Sequence, residues 1–275
     1  MILKVSGGSV PGTDHTKPGK PGWVNNHDSF GWSQLSNDCL VAVVCDGCGS
    51  GAHSEVGAKL ATQISLDLLS DATNRYMIET ALKESSQTIN LERVKTLLTS
   101  QIGVLAHSMG RSFSMIINDY FLFTMVGCIV TPVKTFLFSV GDGVFVLNGE
   151  VVRLGPFPDN APPYISYNLL GRKVDIDVNR TIATSDLQSL IIGSDGAVDL
   201  IEAENKLIPR SEEKVGNILQ FVSDDLYFKN KDAVRRRLSL VNKEAPEVVN
   251  GVARMTQGLL PDDTTLIAVR HDKEI

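Results

Sequence analysis

The chain has 275 residues, 43% of them apolar and 21% charged, which is the make-up of an ordinary folded domain and excludes a disordered, collagen-like or disulfide-stapled chain. Asp plus Glu number 32 against 26 Lys plus Arg, a net charge of −6. That balance argues against a nucleic-acid footprint and means that any phosphorylated ligand needs positive charge from a local source.

The elements follow in chain order. Residues 1–22 read as a loop-like N-terminal segment, because 6–22 are rich in Gly, Pro and Lys. Asp14-His15 within it is expected to be solvated. Nothing near Met1 pairs a basic stretch with a long apolar run, so no secretory signal is expected. Leu40–Cys45 is the first β-branched run and reads as a strand. Val56, Leu60, Ile64 and Leu68 recur every four residues and predict a helix with an apolar stripe. Leu91–Met109 predicts a second helix. Phe121–Thr131, Thr135–Val140 and Val144–Leu147 predict strands. Turn residues Pro132-Val133-Lys134 and Asn148-Gly149-Glu150 between and after them make neighbours antiparallel. Leu190–Ile192 and Thr264–Arg270 are further strands. Glu212–Val222 and the run opened by Pro246, with Val248, Val249, Val252 and Met255 on one side, are expected to be helical. The most apolar window, 121–130, is about half the length of a membrane helix, so no membrane association is expected. No stretch resembles a linker, and 1–275 reads as one domain.

Hairpin-linked strands with long helices between groups predict an α+β fold, sheet packed on sheet with helices outside. Cys45 and Cys48 form one isolated CxxC, and Cys39 and Cys128 give it no partner pair. Zinc would need two more soft ligands, so reduced thiols in a cytoplasmic protein are the expectation.

The informative pattern is the placing of carboxylates. Val43-Val44-Cys45 runs into Asp46-Gly47, Ser139-Val140-Gly141 into Asp142-Gly143, and Ile192-Gly193-Ser194 into Asp195-Gly196, while Asp262-Asp263 precedes the last strand. An apolar strand delivers a rigid position at a sheet edge. Asp supplies a short, hard oxygen ligand, and the following Gly lets the backbone approach closely. Any one Asp-Gly alone is more often a turn, and Asp142-Gly143, between two strands, is the weakest of the set. Carboxylates brought to one spot repel unless a cation sits among them. Hard oxygen donors select Mg²⁺ or Mn²⁺.

In this order and spacing, the motifs Asn26-His27-Asp28, Val44-Cys45-Asp46-Gly47-Cys48-Gly49, Val140-Gly141-Asp142-Gly143, Gly193-Ser194-Asp195-Gly196-Ala197-Val198-Asp199 and Asp262-Asp263-Thr264-Thr265 resemble the metal-dependent type-2C serine/threonine protein phosphatases (the PPM family), in a divergent bacterial form. The resemblance spans about Asn26 to Arg270. It implies a four-layer α/β/β/α sandwich of two antiparallel sheets and hydrolysis of phosphoserine and phosphothreonine by water activated between two Mg²⁺ or Mn²⁺ ions. Asp46 is then the residue bridging both metals, Gly47 a carbonyl ligand, and Asp195 and Asp262 the other carboxylates. Asp28 holds a metal-bound water, and Asp142 and Asp199 form a third, weaker metal site. A phosphoprotein substrate, a Ser/Thr kinase counterpart and a monomeric state are likewise implied.

Several residues depart from the family pattern. Trp23 stands where the family has a phosphate-clamping Arg, His27 where an acidic residue is frequent, Cys48 where His or Met occurs, and Asp263 where Asn is usual. The segment 149–189, the family's flap region, is short and carries four prolines. Phosphate holding then passes to Lys20 or Arg172, with Trp23 free to stack on substrate. A proton for the leaving oxygen comes from metal-bound water first, and from His27 or His53 next. Two rival readings stay open: a catalytically silent phosphatase-fold binding module, and a phosphatase of small metabolites.

Overall fold

The computed structural model describes residues 2–16, 25–82, 88–110, 112–158, 161–249 and 252–272. Strands β1 (Ile2–Val10), β2 (Asp28–Ser36) and β3 (Cys39–Gly47) precede the long helix α1 (Ser54–Ala81), and helices α2 (Leu91–Ser108) and α3 (Phe113–Tyr120) follow it. Next come β4 (Phe123–Val130), β5 (Lys134–Val140), β6 (Gly143–Leu147) and β7 (Glu150–Leu154), then, past a 3-10 turn at Ile165–Leu170, β8 (Asp177–Ala183) and β9 (Ser189–Gly193). Helices α4 (Gly196–Glu202), α5 (Gln220–Ser223), α6 (Leu226–Lys229) and α7 (Ala233–Val241) lead to the ribbon β10 (Ala245–Val249) and β11 (Val252–Thr256). Strand β12 (Thr264–Asp272) comes last.

Two five-stranded antiparallel sheets carry the fold, ordered β1-β12-β9-β6-β7 and β2-β3-β4-β5-β8. Successive side chains of a strand point to opposite faces, and the central strands are apolar on both. Leu40, Ala42 and Val44 of β3 meet Ile267 and Val269 of β12 and Phe145 of β6 between the sheets. Val41, Val43 and Cys45 pack outward with α1, α2 and α3. On the opposite sheet, Val144, Ile191, Leu266 and Ala268 pack outward under α4 to α7. The result is the expected α/β/β/α sandwich.

Five sequence readings are corrected. Residues 2–10 form β1, paired along its length with β12, so the N-terminal segment is not a loop throughout. Its glycines serve packing, since a Cβ on Gly8 would stand 2.4 Å from the backbone nitrogen of Arg235 in α7. Helix α1 is present, but its buried face is Ala58, Ala61, Thr62, Ser65, Leu66, Leu69, Thr73 and Tyr76, whereas Val56 and Leu60 are 36% and 37% exposed. A four-residue spacing overshoots the 3.6-residue turn, so the stripe starts off the buried face and winds toward it, and only Ile64 and Leu68 of its members pack against the core. Small residues there let the helix lie close on β2 and β3. The run from Pro246 is the ribbon β10–β11, not a helix, and 212–222 is irregular until the short α5. The segment 149–189 supplies β7 and β8, an edge strand of each sheet.

Candidate active site

Both sheets deliver carboxylates to one end of the sandwich. Asp46 lies at the end of β3, directly opposite Asp28 of β2 in the antiparallel register, with Thr124 of β4 on its other side. Asp195 follows β9 and precedes α4, and Asp262 lies just before β12. Asp142 is not in a hairpin turn. It occupies the step from β5 in one sheet to β6 in the other, flanked by Gly141 at φ +82° and Gly143 at φ +136°. Those positive angles suit glycine alone, and they let the chain change sheets while aiming Asp142 at the seam.

Asp46, Gly47, Asp142, Asp195 and Asp262 line a single cavity of about 280 Å³, with His15, Cys48, Ser50, Thr124, Pro162 and Tyr164. Asp28 sits beneath it, 4% exposed, and accepts a 2.7 Å hydrogen bond from the Ser194 hydroxyl. Asp199 lines an adjoining cavity of about 340 Å³ with Asp14, His15, His27 and Asp262. No Lys or Arg is among the described residues lining either cavity.

Burial and mutual repulsion set the electrostatics. The Asp46 carboxyl is pushed well above the usual carboxylate range by burial, then by Asp28, Asp195, Asp262 and Asp142. Burial, then Asp263, raises Asp28. Asp195 is pushed up to about 7 by burial, then by Asp262 and Asp142. Asp142 and Asp199 are raised too, each first by burial and with Asp262 contributing. Asp262 alone moves down, because the hydrogen bond and charge of His15 outweigh its burial.

The donor set fits divalent cations. Asp28 Oδ1 and Asp195 Oδ1 are buried without a hydrogen-bond partner, and the converging ligands are oxygens, as Mg²⁺ and Mn²⁺ require. Like charges at about 4 Å repel by roughly 4 kcal/mol at an effective dielectric of 20, and nothing in the packing of the fold calls for such a gathering.

The other expectations fare unevenly. Trp23 and Lys20 lie outside the described residues. Arg172 stacks over the Tyr167 ring at 4.8 Å, away from the cavity lining. His53 is half-exposed and packs tilted against Tyr120, ring centroids 4.8 Å apart, also off the lining. Cys39, Cys45, Cys48 and Cys128 are free thiols. Cys45 belongs to the core under the helices and Cys48 to the cavity, so the CxxC is not a joint site.

Sequence reasoning missed His15. Far from idle in solvent, its Nε2 lies 3.1 Å from Asp262 Oδ1 and its Nδ1 3.0 Å from Asp263 Oδ2. These bonds push its pKa up to about 10, so it is the positive group set against the aspartates. Only its position among Gly and Pro concealed it, and no spacing rule links residue 15 to residue 262. Tyr164 was missed as well. Burial and its contact with Cys48 raise its phenol, which keeps a neutral hydroxyl beside the cavity.

The two packed sheets thus meet at an acidic cleft along their seam. The chain belongs to the protein phosphatase 2C family, whose model matches residues 12–225, and the enzyme class is accordingly protein serine/threonine phosphatase. The match ends before Asp262, which the fold brings back to the cleft. Solved structures similar over nearly the whole chain include a bacterial serine phosphatase (13% identity, TM-score 0.54, 99% of each chain) and the serine/threonine phosphatase Stp1 from Staphylococcus aureus (15%, 0.52, 99% of this chain and 96% of that one). PppA, a key regulatory component of T6SS in Pseudomonas aeruginosa, is similar too (14%, 0.54, 98% of each). At such identity these likenesses show the fold. No curated protein matches the sequence.

Proposed function

We propose that this protein removes phosphate from phosphoserine and phosphothreonine of a protein substrate, with water activated between two divalent ions as nucleophile. The observation that carries the reading is the convergence of Asp46, Asp142, Asp195 and Asp262 on one cavity, with buried carboxylate oxygens left unpaired.

Asp46 would bridge two Mg²⁺ or Mn²⁺ ions, with the Gly47 carbonyl, Asp195 and Asp262 completing the protein ligands. Asp142 and Asp199 would serve a third ion. Bound ions supply Lewis acidity toward the phosphoryl oxygens and an acidified water as nucleophile. The chain's own residues do the positioning. Asp28, fixed by Ser194, orients water from below the cleft. Thr124 and Phe123 of β4, opposite Asp46 and Gly47, hold that end of β3 in register. Tyr164 covers one side with an apolar ring and a neutral hydroxyl. The carboxylate cleft would repel a phosphate dianion, and cations held by Asp46, Asp195 and Asp262 would offset that repulsion. A monomeric, cytoplasmic enzyme opposed by a Ser/Thr kinase completes the proposal; no helix among the described residues is long and apolar enough to cross a membrane.

The test is hydrolysis of p-nitrophenyl phosphate and of phosphopeptides with and without Mn²⁺, beside Asp46→Asn. Metal-dependent turnover that the variant lowers by at least about a hundredfold is expected. Turnover without metal, or an equally active variant, removes the reading. No turnover at all would favour a silent binding module, and faster hydrolysis of sugar phosphates than of phosphopeptides would favour the metabolite phosphatase.

A further inference from the structure

Beside the aspartate cleft is a cluster that the hydrolytic reading leaves without a task. His27, just ahead of β2, is 1% exposed, and neither ring nitrogen has a hydrogen-bond partner. A buried imidazole with two unsatisfied nitrogens is destabilising, and its replacement by an apolar side chain would remove that cost. The ring faces that of His15, centroid to centroid 5.0 Å. Asp263 closes the group. Its Oδ1 accepts the Gly12 backbone N–H at 2.7 Å, and its Oδ2 accepts the His27 backbone N–H at 2.7 Å with His15 Nδ1 at 3.0 Å. One ligand atom from each of His15, His27 and Asp263 lies within 4.8 Å of the others.

Two imidazoles and one carboxylate are a different donor set from the all-oxygen cleft. Imidazole nitrogen suits Zn²⁺ and its first-row neighbours, whereas Mg²⁺ prefers carboxylate, carbonyl and water. Three protein ligands leave a tetrahedral ion one position for water. The adjoining cavity of about 340 Å³, which both histidines line, has room for it.

We propose that His15, His27 and Asp263 form a separate site for a zinc-class divalent ion on the wall of the aspartate cleft, the ion taking the place of the proton that His15 Nδ1 shares with Asp263 Oδ2 in the metal-free protein. A metal-bound histidine ordinarily directs its second ring nitrogen to a carboxylate that fixes the ring. Here His15 does this through Nε2 to Asp262, at 3.1 Å, a residue that belongs to the neighbouring cleft. The site therefore ties the 12–16 turn, the entry to β2 and the entry to β12 into one unit, and an ion in it fixes the orientation of Asp262. The proposal does not depend on the phosphatase reading, and its readout is separate.

The experiment uses the full chain in millimolar Mg²⁺, titrated with Zn²⁺ alone and followed by a competing zinc chelator and by X-ray absorption at the zinc edge. One zinc equivalent that Mg²⁺ does not displace is expected, with outer-shell scattering from two imidazoles. His15→Gln and His27→Gln should each weaken zinc by at least about tenfold. Because His27 is buried, its variant is compared only if its circular dichroism matches the parent; His15→Gln, at the cavity wall, decides the matter alone if it does not. Absence of a zinc equivalent, a zinc displaced by Mg²⁺, a spectrum without imidazole, or unchanged affinity in His15→Gln would each overturn the site.

Discussion

The two walls of the aspartate cleft are built in opposite ways. One wall is the ends of β3 and β9 and the start of β12, strands buried on both faces, and it carries only acid. The other is the 12–16 turn, which has no ladder of its own and is held by Thr13 and Asp14 N–H bonds to Leu260 and Pro261. It carries His15, the cationic partner of Asp262 and Asp263. The strand wall holds repelling charges in place at the expense of stability, and the turn wall returns part of that stability. The acidic geometry is thus assigned to the sandwich, and charge balance to a turn.

Variants on the two walls should move stability in opposite directions. Asp195→Asn should lower metal-dependent hydrolysis by at least about a hundredfold while raising the melting temperature of the metal-free protein by a few degrees, since a buried repelling carboxylate is gone. A metal-free variant that melts below the parent would contradict the strained wall. The pH dependence comes next. Burial and neighbouring charge hold the Asp195 pKa at about 7, above its unfolded value near 4. Its contribution is therefore complete below about pH 4 and is lost as pH rises through 7. His15, raised to about 10 from an unfolded value near 6.5, begins to lose its share above about pH 6.5 and has lost it by about pH 10, which adds to the same fall. Asp262, lowered, loses its share toward acid. The metal-free protein should become less stable from pH 5 to pH 8, and Mn²⁺ should bind more tightly over the same range. Calorimetric melting at several pH values, with and without Mn²⁺, checks both, and a metal-free melt that rises with pH would refute the assignment.

On the turn wall, His15→Gln should destabilise the metal-free protein at pH 7 by about 1.5–3 kcal/mol, the worth of hydrogen bonds to charged groups. Urea unfolding measures it, and no loss would mean that His15 balances nothing. The smallest effect belongs to an exposed side chain. Val56→Ala on α1 should change stability by no more than about 0.5 kcal/mol, because Val56 is 36% exposed.

How much of this was readable from the residues follows from the same contrast. The acidic strand ends were legible because apolar runs stop at Asp-Gly, and both features are local. Asp142 was legible as a residue but not as a junction, since hairpin and sheet-to-sheet crossing share the same two letters. His15 was illegible because its meaning comes from Asp262 and Asp263, almost the whole chain away. β1 was obscured by Gly7, Gly8 and Pro11, which carry turn signals although the first two answer to close packing. The buried face of α1 was misplaced because Ala, Ser and Thr settle against a sheet as well as larger residues do, and a search for bulky stripes passes them over.

The crossing at Asp142 has one more consequence. Asp28 and Asp46 belong to one sheet, Asp195 and Asp262 to the other, and Asp142 to the strand of chain that steps between them. A cation shared by these residues would clasp the two halves of the sandwich along their midline. Any slip of one layer over the other would then register first as a loosened grip on the ion, making the reactive centre a gauge of whether the halves remain in alignment.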